Sequence, residues 1–176
     1  IILGFLLNLT LLANAQTTII NPTTAGAFEG ASFAADGWSV NNNATTNVWV
    51  QNTGATAGFT GTKCAYITDN AGGTPPPHTY TNSPTSRVSA LYRDVTVPAG
   101  ETQITLTFNW ICNGEVDFDR LQVWAVPTSF TPLNGTASMT TTGTAPTGRV
   151  RLGTGATGYV GTTSWGTANI TVPAAY

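Results

Sequence analysis

The chain has 176 residues, a formal net charge of −2, and charges on only 8% of its residues, against roughly a quarter in an average protein. Six basic side chains, scattered apart from Arg149 and Arg151, cannot neutralise a row of phosphates, which excludes a nucleic-acid binder. Scarce Leu, Glu, Lys and Arg beside 34 Thr and 19 Gly argue against long helices, while five Trp, five Tyr and seven Phe are core material and argue against disorder.

The first element is an apolar run, Ile1 to Leu12, leading into Ala13-Asn14-Ala15-Gln16. An apolar stretch before a small-x-small site reads as the back half of a secretory signal peptide. It is shorter than the roughly 20 residues that a membrane span needs. The expected organisation is a partial signal peptide over 1–15, a linker over 16–26 and one domain over 27–176. The expected location is secreted or cell-surface, with no membrane span.

Strands are expected wherever short β-branched and aromatic runs lie between Gly, Pro and Asn clusters. Ala27-Phe28-Glu29 opens the series, followed by Gly37 to Val40, Val48-Trp49-Val50 and Lys63 to Thr68. The segment Gly72 to Pro84 contains Pro75-Pro76-Pro77 and reads as a surface loop. Ser86 to Val97 reads as a strand with an irregularity at Arg93-Asp94. From Ile104 to Cys112 the alternation is strict: Ile104, Leu106, Phe108, Trp110 and Cys112 face one way, and Thr105, Thr107 and Asn109 face the other. Leu121 to Pro127 follows as a second central strand. Thr128 to Gly148 reads as loop with one weak strand. Arg149 to Leu152, Ser164-Trp165 and Asn169 to Val172 complete the set. No helical period is found after the apolar leader. Many short strands with regular turn signals predict an all-β fold, a jelly-roll β-sandwich of antiparallel strands.

Asn169-Ile170-Thr171-Val172-Pro173-Ala174-Ala175 echoes Asp94-Val95-Thr96-Val97-Pro98-Ala99-Gly100. The first copy precedes the strongest strand, so a further apolar strand is expected after Tyr176, and the domain reads as C-terminally incomplete. Gly54 to Phe59 likewise resembles Gly155 to Tyr159, a weak sign of internal repetition.

Cys64 and Cys112 both fall on expected strands, as a candidate disulfide or as two buried thiols. A disulfide here would contribute about 4 kcal/mol by restricting the unfolded chain. The densest acidic group is Glu115, Asp117 and Asp119. Alternate residues on an extended chain point to one side, so these carboxylates suit a hydrated turn, a hard-cation site such as Ca²⁺, or an acid–base pair for glycoside hydrolysis. Glu29, with Asp69 or Asn70, is a candidate ligand set for a structural Ca²⁺, or else an exposed edge residue. Trp124 and Trp49 are candidate sugar-stacking rings or ordinary packing residues. His78, the one histidine, lies in the Pro-rich loop, a poor setting for a triad that needs a held imidazole. No phosphate-binding loop, dinucleotide fingerprint or nucleophile elbow is present.

From about Phe28 onward the motifs form a combination: Phe28-Glu29, Gly37-Trp38, Lys63-Cys64-Ala65-Tyr66-Ile67, Leu91 to Val95, Val97 to Gly100, Phe108-Asn109-Trp110, Gly114-Glu115 and Leu121 to Pro127. The combination resembles the jelly-roll modules of large secreted surface proteins of Bacteroidota-type bacteria, which are similar in layout to MAM-like and carbohydrate-binding β-sandwiches. The resemblance implies a non-catalytic extracellular module of type IX secretion cargo, commonly near fibronectin-type repeats and a C-terminal secretion signal. It also implies that an acidic residue on a further strand completes a calcium site with Glu29. The expected function is an adhesion or interaction module contacting an extracellular glycan or protein, alongside further domains of the same chain. The alternative is a carbohydrate-binding module appended to a secreted glycoside hydrolase or peptidase.

Overall fold

The computed structural model describes residues 16–42, 46–52, 58–82, 87–132, 148–153 and 158–173. The expected signal peptide, the weak strand within 133–147 and parts of both sequence echoes lie outside the described residues. Among those described there is no helix, and no helix long and apolar enough to cross a membrane. Among the described residues eight strands form: β1 (Ser39–Asn41), β2 (Val48–Asn52), β3 (Cys64–Thr68), β4 (Ala90–Tyr92), β5 (Gln103–Cys112), β6 (Val123–Ala125), β7 (Val150–Leu152) and β8 (Thr162–Pro173). They combine as four antiparallel pairs, β1 with β4, β2 with β3, β5 with β8, and β6 with β7. The all-β, antiparallel expectation therefore holds.

The long β5–β8 pair organises the centre. Its register runs from Gln103 opposite Pro173 to Trp110 opposite Gly166, with an irregularity between Trp110 and Cys112. Exposure alternates residue by residue along β5, as the sequence pattern requires. Thr107 and Asn109 face solvent, and Thr167 Oγ1 donates to Asn109 Oδ1 at 2.8 Å across the pair. On the opposite side, Gly166 leaves room for the Trp110 ring, since a Cβ there would lie 3.2 Å from it. This close approach lets one 12-residue strand pass where the sequence suggests two short ones.

Tyr159 is the hub of the core, at 4% exposure. It sits edge-on to Phe108 (centroids 5.2 Å) and Trp110 (4.9 Å). Its backbone exchanges two hydrogen bonds with Leu121, of 3.0 and 2.8 Å, which tie the start of the β6 segment to it. Leu152, Ala168 and Val172 complete the buried apolar set among the described residues. The other apolar inner side chains are half-exposed around an open cavity of about 2910 Å³.

One expected strand is absent and another is shortened. Ala27-Phe28-Glu29 lies in a turn, because Phe28 takes a left-handed φ of 60° that no strand accommodates. Its ring still packs on Phe33 and Trp38, at 5.9 and 5.3 Å between centroids. Of the expected 86–97 strand, only Ala90–Tyr92 forms one among the described residues. Arg93 turns its guanidinium to the Asp36 carbonyl at 2.6 Å and toward the Trp38 ring, and Asp94, Val95 and Thr96 are exposed beyond it.

Candidate functional site

Glu29 is held by donors. Its carboxylate accepts from the Thr62 amide (2.8 Å), the Thr62 hydroxyl (2.6 Å) and the Lys63 amide (3.0 Å). The Thr62 hydroxyl bond, then the Lys63 amide, lower its pKa below the usual carboxylate range. The approach is close enough that a Cβ on Gly61 would lie 2.0 Å from Glu29 Oε1, so a side chain there would displace the carboxylate. The Lys63 ammonium then caps the Gly30 carbonyl at 2.6 Å.

Asp69 has different partners, accepting from the Thr79 hydroxyl at 2.6 Å and the Thr81 hydroxyl at 3.1 Å, which lower its pKa in that order. The Asn70 amide donates to Thr68 Oγ1 at 3.1 Å. A calcium ion needs six to eight oxygens converging on one point. Here Glu29 faces N–H and O–H groups and Asp69 faces hydroxyls. Among the described residues no three His, Cys, Asp or Glu side chains group to hold a metal. As placed, Glu29, Asp69 and Asn70 each have separate partners.

Asp36 and Gln51, which no sequence pattern singles out, form the neighbouring polar centre. Asp36 is 8% exposed and accepts from the Gly30 amide at 3.0 Å and from Gln51 Nε2 at 2.7 Å. Gln51 Nε2 also reaches the Phe28 carbonyl at 2.7 Å and the Gly30 carbonyl at 3.2 Å. Three oxygens around one nitrogen fix the amide's orientation and leave Gln51 Oε1 buried without a hydrogen-bond partner. This network fastens the left-handed turn to β2.

Of the two alternatives for the cysteines, the structure has free thiols: Cys64 and Cys112 are unbonded and half-buried. Burial, and secondarily the Glu29 charge, push the Cys64 thiol pKa up. Cys112 Sγ lies 3.9 Å from the Asp119 carbonyl.

The acidic turn between β5 and β6 is built around Asp119. Glu115 O accepts from the Phe118 and Asp119 amides at 2.9 and 2.8 Å, and the Glu115 amide donates back to Asp119 Oδ2 at 3.3 Å. Gly114 is needed because a Cβ would lie 2.5 Å from Asp119 Cβ. The Arg120 guanidinium closes on the Asp117 carbonyl. Tyr80 hydrogen-bonds the Asp119 carboxylate, and that bond raises its phenol pKa. Glu115, Asp117 and Asp119 therefore share a turn without forming a metal-holding group. The turn carries Val116 and Phe118 into solvent at 61% and 73% exposure. The sequence points to this turn by its charges and gives no hint that its apolar residues face outward.

The two tryptophans singled out in the sequence are engaged. Trp49 donates its indole N–H to the Ser89 carbonyl at 3.0 Å and lies half-buried on β2. Trp124 donates to Gln122 Oε1 at 3.2 Å, and the Arg151 guanidinium lies over its ring, 4.8 Å from the centroid. His78 packs against Tyr66 at 4.1 Å between centroids, and desolvation lowers its pKa. Comparison with protein-family models, with curated proteins and with solved structures found no match to this chain.

Proposed function

We propose that this chain is a non-catalytic adhesion or interaction module, a jelly-roll β-sandwich carried by a secreted or cell-surface multidomain protein of the Bacteroidota type. The observation that carries this reading is the β5–β6 turn. Its backbone is closed by hydrogen bonds to Glu115 and Asp119, and its two large apolar side chains point to solvent. A turn that is internally tied while exposing Val116 and Phe118 is organised for contact, since exposed apolar groups gain free energy when a partner covers them. The acidic rim around the tip suits a protein surface with an apolar pocket and cationic edges.

The carboxylates support the non-catalytic part. Glu29, Asp36, Asp69 and Asp119 each accept hydrogen bonds that hold turns and loops in place. The motif order from Phe28 onward supports the jelly-roll assignment.

The test is plate binding of the purified chain to fibronectin, collagen and laminin, with V116S/F118S as the comparison. Saturable binding to at least one protein is expected, weakened about tenfold or more in the variant, since burying one such side chain is worth about 1.5–3 kcal/mol. Absence of binding to all three, or equal binding by a folded variant, overturns the reading. Turnover of a polysaccharide or peptide substrate by the chain overturns its non-catalytic part.

A further inference from the structure

We propose that Asn113 is a self-modification site: the Gly114 backbone nitrogen closes on its side chain and converts it to aspartate and isoaspartate inside the β5–β6 turn.

The sequence is the first support. Attack on an asparagine side chain by the next residue's backbone nitrogen is intramolecular, so its rate is set by how often the two atoms meet in the right geometry. A Cβ on the following residue hinders that approach, and glycine has none. Asn113-Gly114 is such a pair, and no other asparagine among the described residues precedes a glycine. Asn134-Gly135, the further pair in the sequence, lies outside them.

The geometry is the second support. Asn113 is exposed and comes directly after the last residue of β5, so no strand ladder holds it. The turn is closed by the Phe118 and Asp119 amides donating to Glu115 O, and by the Glu115 amide donating to Asp119 Oδ2. Among the described residues no hydrogen bond engages the Gly114 amide or the Asn113 side chain, so nucleophile and electrophile are both available. Asn109 shows the opposite case: it lies within β5, and Thr167 Oγ1 donates to its Oδ1 at 2.8 Å. The turn also keeps glycine at 114, because a Cβ there would lie 2.5 Å from Asp119 Cβ. Closing the turn therefore places beside Asn113 the residue that hinders the attack least.

The chemistry balances without an oxidant or reductant. Hydroxide removes the Gly114 amide proton, the nitrogen bonds to Asn113 Cγ, and the Cγ–Nδ2 bond breaks, with Nδ2 leaving as ammonia after taking a proton from water. Water then opens the cyclic imide at either carbonyl and returns a proton to the Gly114 nitrogen. Opening at Cγ gives aspartate. Opening at the backbone carbonyl gives isoaspartate, whose main chain is longer by a methylene. Both products add a carboxylate to a turn that already carries Glu115, Asp117 and Asp119, and isoaspartate also lengthens the segment that leads to Val116 and Phe118.

The test is a peptide map of the whole chain after incubation in mildly alkaline buffer, once folded and once in guanidinium chloride. Its readout is mass, which makes it independent of the adhesion assay. Trypsin cuts after Arg93, Arg120 and Arg149, so Asn113 falls on 94–120 and Asn134 on 121–149. Amide-to-acid conversion and isoaspartate should accumulate at Asn113, with fragment spectra separating it from Asn109 on the same peptide. In the folded chain the rate at Asn113 should be at least about tenfold above that at Asn109, and within about tenfold of its own rate in the unfolded chain. N113Q should remove the conversion from 94–120, because the longer side chain must close a larger, less favoured ring. Equal folded rates at Asn113 and Asn109, a folded rate at Asn113 more than about tenfold below the unfolded one, or conversion of 94–120 that persists in N113Q overturns the proposal.

Discussion

Replacing Tyr159 by Leu tests the account of the core most directly. Tyr159 is 4% exposed and makes two edge-on ring contacts, with Phe108 and Trp110. Each aromatic pair is worth about 0.5–1.5 kcal/mol beyond its buried area. Losing both costs about 1–3 kcal/mol, and the smaller side chain adds a cavity term, for a total of about 2–4 kcal/mol. That is a large part of the roughly 5–15 kcal/mol that holds a domain folded. The assay is urea unfolding followed by tryptophan fluorescence, repeated for F108L and for the double variant. The cycle should return a coupling of about 0.5–1.5 kcal/mol between Phe108 and Tyr159. A total loss under about 1 kcal/mol with zero coupling would refute the assignment of Tyr159 as the hub.

Three further outcomes follow from the site geometry. Glu29 and Asp69 have folded pKa values below their ordinary ones, so the stability they contribute is present above the ordinary carboxylate range and is lost as pH falls through the lowered values. The melting temperature should drop on acidification, less steeply in E29Q, and an identical pH profile for parent and variant contradicts the Glu29 clamp. Excess Ca²⁺ and chelator should give the same melting temperature, because donors occupy the Glu29 carboxylate; a rise with Ca²⁺ reveals an ion bound to the folded state. Alkylation of the unfolded, unreduced protein should add two labels, one at Cys64 and one at Cys112, whereas an unlabelled chain that becomes reactive only after reduction establishes a bond between them.

The legible parts of the fold are those where one local pattern suffices. β5 was readable because alternate apolar residues demand a period of two, and Ile104 to Cys112 supply it without interruption. The 48–52 and 64–68 strands were readable from β-branched and aromatic runs between turn residues. Phe28 was misread because its apolar ring suggests a strand, while Gln51 and Lys63, distant in sequence, collect the carbonyls of a turn. Gly166 weakens a strand on local grounds, but here it admits the Trp110 ring. At the β5–β6 turn the acidic spacing was visible, yet the outward placement of Val116 and Phe118 depends on how Asp119 closes the turn.

The sequence by itself determined the class: too few helix formers for bundles, and periods of two that produce antiparallel strands. Tertiary structure decided the partners. The Glu29 carboxylate went to Thr62 and Lys63, Asp69 to Thr79 and Thr81, and Arg151 to the Trp124 ring. The physical reason is range. Strand formation follows from backbone geometry and neighbouring side chains, whereas hydrogen bonds and ring stacks select whichever group the folded chain brings within a few ångströms, at any separation in sequence.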